Sequence, residues 1–198
     1  MEHHGWQVPA SFTSPDEEAA RVRESAGLAD VSWMLKFDLK GQGLTTPPAI
    51  GPEAAWWVVG RLHGLLTCEP SVGNAVRNGL QQIQSAQTGS GAPLAFYVTE
   101  VSSVYAHLLL AGPCSRDVLG KLTSLNLSES SSGDWSCAQV SVAHVHATIL
   151  RADLKGIPSF QLLVSREYGE YVWAAVLHAG HEFHIAPFGL QALETLTR

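Results

Sequence analysis

Cysteine is scarce in this chain of 198 residues. Cys68, Cys114 and Cys137 form an odd set with no C-x-x-C spacing, which argues against a disulfide framework or a zinc knuckle and leaves buried free thiols. Charge is scarce as well. Charged residues make up 15% of the chain against 45% hydrophobic residues, a balance that points to efficient packing or to surface hidden in an assembly. The basic residues are few and scattered. Twelve Lys and Arg stand against eighteen Asp and Glu, a net charge of -6, so no nucleic-acid partner is expected. Long apolar runs are missing: "WAAVL" and "AHLLLAG" fall far short of a bilayer span, and the opening "MEHHGWQVPASF" has no apolar core of a signal peptide. A cytoplasmic chain without a membrane partner is expected. The glycines of "TGSGAP" lack the Lys and the spacing of a phosphate loop.

A chain of this length buries roughly 70% of the surface its unfolded form exposes, so a proper core is expected. A first helix is signalled in "SPDEEAARVRESAG", with Ser14 as cap, Pro15 at the first position, Glu17 completing a capping box and Gly27 as the stop. Residues 36 to 41 alternate as a strand with one wet and one dry face. After the turn-rich "GQGLTTPPAIGP", the segment "EAAWWVVGRLHGLLTCEP" reads as a β-hairpin, and "AVRNGLQQIQSA" as a helix broken at Gly79. The second half offers a strand in "VYAHLLLAG", a helix in "PCSRDVLGKL", a Ser-rich loop and a hairpin in "AQVSVAHVHATILR". It continues with a strand that turns Phe160, Leu162 and Val164 inward. A helix then runs from a Ser165 cap to Gly180, and another begins at Pro187. The sum is an α+β protein of mainly antiparallel sheets with flanking helices.

Several residues invite a chemical reading. His178, His181 and His184 recur every three residues, and His144 and His146 share one face of a strand. A metal site needs about three or four converging ligands with support behind them, and Gly180 and Phe183 break the helical register of the first group. These histidines suit a helix end by its dipole, and no metal is expected. Cys114 lies near a helix start, a position that can activate a thiol, but no base is in sight and a small buried hydrophobe is the better reading. Trp56 and Trp57 must point to opposite faces of their strand, one into the core and the other toward a pocket or interface. "DVSWM" is more than a strand needs at its entrance, so its side chains are read as facing a partner or ligand.

The stretch "RESAGLADVSWMLKFDLKG" resembles the opening of the glycine cleavage T-protein, the tetrahydrofolate-dependent aminomethyltransferase family, where a helix ends in Gly-Leu before a "DVSHMGK"-like strand. "LLLAGPCSRDVLGKLTSLNLS" is similar to the family's strand, "GP", helix and "KLT" segment. "ILRADLKGIPSFQLLVSREYGEYVW" is similar to its "SRTGYTGEDGFEL" hairpin and following helix, and "AGHEFHIAPFGLQALETL" to its "GL.ARDTLR" segment. The likeness runs in unbroken order over most of residues 15 to 198. It implies a T-protein folate-binding-domain-like fold with a discontinuous domain, 1–41 and 98–198, and a shortened inserted subdomain, 42–97. The chain ends at Arg198, ahead of the point where the family's C-terminal barrel begins, so part of the folate cavity wall is expected to be missing. In these respects the sequence is similar to the gamma subunit of heterotetrameric sarcosine oxidase.

The resemblance also implies site residues and losses. Pro52 and Glu53 stand at the family's acidic pair, leaving Glu53 as the catalytic acid displaced by one residue. Trp33 and Met34 would pack on the pterin ring, Glu69 lies near the position of the family's Asn, and Arg151 would reach the folate glutamate. Leu154 and Ile157 stand where the family has a Tyr and a folate-binding Glu. A pterin presents adjacent N–H donors that a carboxylate accepts in pairs, and an apolar side chain cannot replace that acceptor. Two readings follow: an accessory, non-catalytic T-protein-like module of one-carbon and amine metabolism that binds tetrahydrofolate weakly, and a tetrahydrofolate-dependent aminomethyl or methyl transferase. The replaced residues favour the first. A protein partner or a second copy is then expected on an apolar surface formed by the outward-facing one of Trp56 and Trp57 together with Phe188.

Overall fold

A computed structural model describes residues 1–44, 46–51, 54–89, 95–128 and 137–198. The chain divides into two compact units, Met1–Ser32 with Val104–Arg198, and Trp33–Ser103. The first unit opens with a short hairpin, β1 (Glu2–His3) and β2 (Trp6–Gln7), followed by α1 (Pro15–Glu24). Ser14 caps α1, its hydroxyl accepting the Glu17 N–H at 3.3 Å, and Pro15 holds the first helical position. The helix stops at Glu24 rather than at Gly27, which instead opens β3 (Gly27–Asp30). A Cβ on Gly27 would lie 2.6 Å from Val22 and 2.7 Å from Phe188, so the glycine serves a close approach and not a helix end.

The carboxylate that organises this end of the unit is Glu18, one residue beyond the expected Glu17. It is 3% exposed. Its Oε1 accepts the backbone N–H of Phe12 at 2.5 Å and of Thr13 at 2.6 Å, and its Oε2 accepts that of Gly189 at 2.8 Å. A buried carboxylate is tolerated here because backbone donors replace its water.

The described residues of the second unit form an antiparallel sheet with an α-helix and a 3-10 turn. Strands β4 (Leu35–Gly41), β5 (Ala54–Gly60), β6 (His63–Cys68) and β7 (Phe96–Glu100) lie in the order β5-β6-β4-β7, with α2 (Gly73–Gly89) between β6 and β7 in the chain. The sheet takes in β4 and part of β7, which fall outside the 42–97 span expected for the insertion. Val76 and Leu80 of α2 join Phe37, Leu39, Leu66 and Phe96 in the core. The helix runs unbroken through Gly79, where a Cβ would press on Ile50 at 3.1 Å. Trp57 is fully buried, its indole N–H donating to Thr67 Oγ1 at 2.9 Å, while Trp56 lies half-buried on the opposite face against the core.

The remaining elements return to the first unit: β8 (Tyr105–Ala111), α3 (Ser115–Gly120), β9 (Cys137–Val142), β10 (Val145–Arg151), β11 (Ser159–Ser165), α4 (Gly169–Ala179), β12 (Ala186–Pro187) and α5 (Leu190–Thr197). Its six-stranded sheet has the order β12-β3-β8-β11-β10-β9, antiparallel except for the β12–β3 pair. Phe160, Leu162 and Val164 of β11 pack with Val118, Leu119, Val172 and Val176. Leu163 is buried too, so β11 is covered on both faces. A 3-10 turn over Arg166–Tyr168 displaces the start of α4 from Ser165 to Gly169, and Ser165 makes no side-chain cap bond. Pro187 does not start a helix; it sits in the edge strand β12, where a missing N–H does no harm. Gly112, with φ +123, turns the chain where a Cβ would fall on backbone atoms of Val22, Ser25 and Ala26 at and just beyond the end of α1. The expected α+β architecture of mainly antiparallel sheets is thus present.

Glu18→Ala removes the shared acceptor of three backbone donors, and a loss of about 2–4 kcal/mol of stability is expected from charge-assisted bonds of this kind. Equilibrium urea unfolding of the variant against the parent chain measures it.

Candidate functional site

The residues singled out from the sequence fall in both units. Asp30 Oδ1 accepts the Ser32 N–H at 2.8 Å, an Asx turn that ends β3. The Ser32 hydroxyl accepts the His107 N–H at 3.0 Å, while the Val31 N–H donates to the His107 carbonyl at 2.8 Å. The polar residues of "DVSWM" thus close the strand, and Asp30 and Ser32 also line a cavity of the first unit. Asp30 keeps its second oxygen clear of that turn.

In the second unit Trp33 is buried and Met34 half-buried. The Met34 carbonyl accepts from Lys36 Nζ at 2.7 Å, and Lys36 is itself fully buried. Glu69 is exposed and precedes a 3-10 turn over Pro70–Val72 with no side-chain cap bond. Pro52 and Glu53 lie outside the described residues. In the first unit Arg151 is buried at the end of β10, with Nη2 2.6 Å from Asp153 Oδ1 and its guanidinium 4.9 Å from the centre of the Phe160 ring. Asp153 also accepts the Ser159 N–H at 3.1 Å, which fixes the carboxylate against the loop before β11.

Leu154 and Ile157 face each other across a tight turn. The N–H of each donates to the carbonyl of the other, at 2.9 and 2.8 Å, and the two residues between them, Lys155 and Gly156, have left-handed φ of 48 and 84. That is the conformation of a type I′ turn. Both flanking side chains are half-buried and apolar.

The apolar surface expected at an outward Trp and Phe188 is absent. Trp57 and Phe188 are buried, and Trp56 is half-buried against the core of its own unit. Large apolar side chains are exposed instead at Val58, Leu62 and Tyr97 in the second unit and at Val104, Tyr168 and Tyr171 in the first.

The histidines disperse. His144 belongs to the β9–β10 turn with Ala143, both left-handed at φ 68 and 48, and not to a strand face with His146. His178, His181 and His184 occupy the last turn of α4, a 3-10 turn and a left-handed residue in succession. Among the described residues, no group of three or more His, Cys, Asp or Glu side chains is placed to hold a metal. No helix among them is long and apolar enough to cross a membrane.

Cavities open among the described residues of the first unit. One of about 800 Å³ lies between the segment after α3, the β9–β10 turn and α4, and includes Lys121, Ser141, His144 and His178. Lys121 is held there by the Ala179 carbonyl at 2.8 Å and by the Glu182 carboxylate. Another, of about 310 Å³, lies at the start of α4 and contains Asp30, Arg166 and two indoles. Its residues come from segments far apart in the chain, so no local spacing announces them.

Comparison with known proteins bears on both units. A family model described as the GCVT N-terminal domain matches residues 68–198. The aminomethyltransferase of Geobacillus thermodenitrificans is 31% identical over 214 residues, taking in 99% of this chain and 58% of that protein. The aminomethyltransferase of Anoxybacillus flavithermus is 30% identical over 97% of this chain and 57% of its own length. The chain therefore spans less than two thirds of these relatives. In fold it is similar to a chain of the heterotetrameric sarcosine oxidase from Corynebacterium sp. U-96 in complex with pyrrole 2-carboxylate, with a TM-score of 0.64 at 19% identity, covering 90% of this chain and 96% of that one. It is likewise similar to glycine cleavage system aminomethyltransferase T from Bartonella henselae, with a TM-score of 0.70 at 14% identity, covering all of this chain and 57% of that one.

Two thiols report on packing in the two units separately. Burial pushes Cys68, in β6, up to about 11, and Cys137, at the start of β9, also up to about 11. The neutral thiol is the form that folding favours, so the unfolded chain gives up these protons first as pH rises. Stability is expected to fall between about pH 9 and 11, and alkylation by iodoacetamide at about pH 8 to be at least about 100-fold slower in the native chain than in urea. Mass spectrometry of timed aliquots measures the rate at each cysteine.

Proposed function

The chain belongs to the family of the GCVT N-terminal domain, and from that membership we propose that it is a folate-binding-type module of one-carbon and amine metabolism serving as a non-catalytic, accessory subunit. The observation that carries this reading is the Leu154–Ile157 turn. The family resemblance puts a Tyr and a folate-binding Glu at these two positions. A carboxylate there accepts the paired N–H donors of a reduced pterin. Here the two side chains are apolar and their backbones are bonded to each other at 2.9 and 2.8 Å. A pterin edge brought to this turn loses its water and gains no acceptor from either side chain, a cost of about 1–3 kcal/mol per unpaired group.

Arg151 supports the same reading. Its guanidinium already has a carboxylate partner in Asp153 at 2.6 Å and the Phe160 ring beneath it. A folate glutamate must compete with Asp153 for this cation, so weak folate binding is what the arrangement favours. A role within an assembly draws support from the similarity to a chain of an oxidase named as heterotetrameric.

The transferase reading rests on a different observation, the 31% identity to a protein named aminomethyltransferase. In that reading Glu53 is the acid that orients the folate nitrogen and manages its proton, Trp33 and Met34 pack on the ring, and Glu69 stands near the position of the family's Asn. Tetrahydrofolate, when bound, supplies the nitrogen that receives the one-carbon unit.

Thermal unfolding with tetrahydrofolate separates the two. At about 1 mM ligand the accessory reading expects a midpoint shift below about 1 °C, whereas saturation by 100-fold over the dissociation constant adds about 2.7 kcal/mol and moves the midpoint by several degrees. Glu53→Gln is expected to change neither folding nor assembly. If the wild type transfers a one-carbon unit and Glu53→Gln abolishes that activity, the transferase reading replaces the accessory one. Leu154→Tyr with Ile157→Glu is expected to enlarge the folate shift by restoring the acceptor.

A further inference from the structure

The cavity of about 310 Å³ at the start of α4 lies in the first unit, and its lining carries charges of both signs on aromatic walls. Asp30 and Glu170 contribute carboxylates, Arg166 a guanidinium, Trp6 and Trp173 indoles, and Leu108 an apolar surface. The guanidinium of Arg166 lies 5.0 Å from the centre of the Trp6 ring. A guanidinium has five N–H donors around its edge, so one held against an indole face still offers donors at that edge alongside its other bonds.

Parts of the lining are held in place by the fold itself. Asp30 is oriented by the Ser32 N–H on one oxygen. The Arg166 backbone N–H donates to the Val104 carbonyl at 2.9 Å. Gly169 seats the start of α4 so closely on β8 that a Cβ would come within 2.7 Å of the Ala106 methyl. Neither Asp30 nor Glu170 is engaged in an ion pair among the described residues. Two carboxylates and a guanidinium thus line one small cavity. A simple anion there meets two carboxylates, and a simple cation meets the guanidinium. A molecule with both charges is complementary to all three.

We propose that this cavity binds a small zwitterion of the α-amino-acid type, with its carboxylate on Arg166, its ammonium on Asp30 and Glu170, and its side chain between the indoles and Leu108. The volume, at the low end of the range of about 300–1,000 Å³ for ligand pockets, suits an amino acid and not a nucleotide. The proposal does not depend on the folate reading.

Isothermal titration calorimetry on the full chain tests it, with L-leucine as the probe and glycine and L-phenylalanine as its smaller and larger counterparts. 3-Methylbutylamine is leucine without its carboxylate, and 4-methylpentanoate is leucine without its ammonium. Saturable binding of at least one amino acid is expected, with both leucine analogues binding at least about tenfold more weakly than leucine if leucine is the one bound, since each lacks a charge-assisted contact. If glycine or phenylalanine is bound instead, methylamine with acetate, or phenethylamine with 3-phenylpropanoate, takes the place of those analogues. Arg166→Gln and Asp30→Asn are each expected to weaken the bound amino acid at least about tenfold. Asp30→Asn retains the oxygen that accepts the Ser32 N–H, so its circular dichroism and melting midpoint should match the parent. Silence from all three amino acids at about 10 mM on a folded chain, single-charge analogues that bind as well as the amino acid, or an unchanged affinity in Asp30→Asn would overturn the proposal.

Discussion

Four residues, Gly27–Asp30, hold together a unit made from two separated stretches of chain. Through β3 the first stretch pairs antiparallel with β8 and parallel with β12. Leu28 stands opposite Leu110 in this pairing and contributes to the same core. The strand is short, and its neighbours compensate. Gly27 lets Val22 and Phe188 approach from α1 and from the segment before α5. Glu18 gathers the backbone donors of Phe12, Thr13 and Gly189 onto one buried carboxylate. Apolar packing supplies most of the energy in such a core, and the carboxylate supplies direction, because it can be satisfied only when three segments meet in one arrangement.

Much of this was legible in the sequence because the physics involved is local. Ser14 and Pro15 announce α1, the alternation of residues 36 to 41 announces β4, and the two apolar runs around "GRLH" announce the β5–β6 hairpin. The failures arise where a distant segment decides. Gly27 looks like a helix stop until Phe188 is seen against it. Pro187 looks like a helix start, yet β3 recruits it as an edge strand. Gly79 looks like a break, but Ile50 lies where its side chain would be. Glu17 fits a capping box, while Glu18, one residue on, finds a partner at Gly189 that no window around α1 contains.

The site divides in the same way. The replacement of a carboxylate by Ile157 is visible in the sequence once the family resemblance is recognised, and the turn geometry adds that Leu154 and Ile157 are bonded to each other. The resemblance sends Arg151 toward a folate glutamate, and the fold adds Asp153 and the Phe160 ring as its neighbours. The cavity of Asp30, Arg166 and the two indoles was not legible at all. Its lining comes from the β1–β2 hairpin, the end of β3, the middle of β8 and the start of α4, and periodicity carries no information about such a meeting.

The insertion of one unit within the other has a consequence for the order of assembly during synthesis. The N-terminus leaves the ribosome first, so α1 and β3 emerge well before β8 and β12 exist to pair with them. In the interval the whole of Trp33–Ser103 is made, and its four strands and helix are contiguous in the chain. Once that stretch folds, β4 and β7 lie side by side, with Phe37 opposite Glu100 and the Val101 N–H on the Lys36 carbonyl at 2.8 Å. The points where the chain enters and leaves the insertion are then tied together. The entropy of closing a long loop between β3 and β8 is thereby reduced to that of a short connection. A distant strand pairing, which ordinarily slows folding, becomes kinetically almost a local one, provided the insertion folds first.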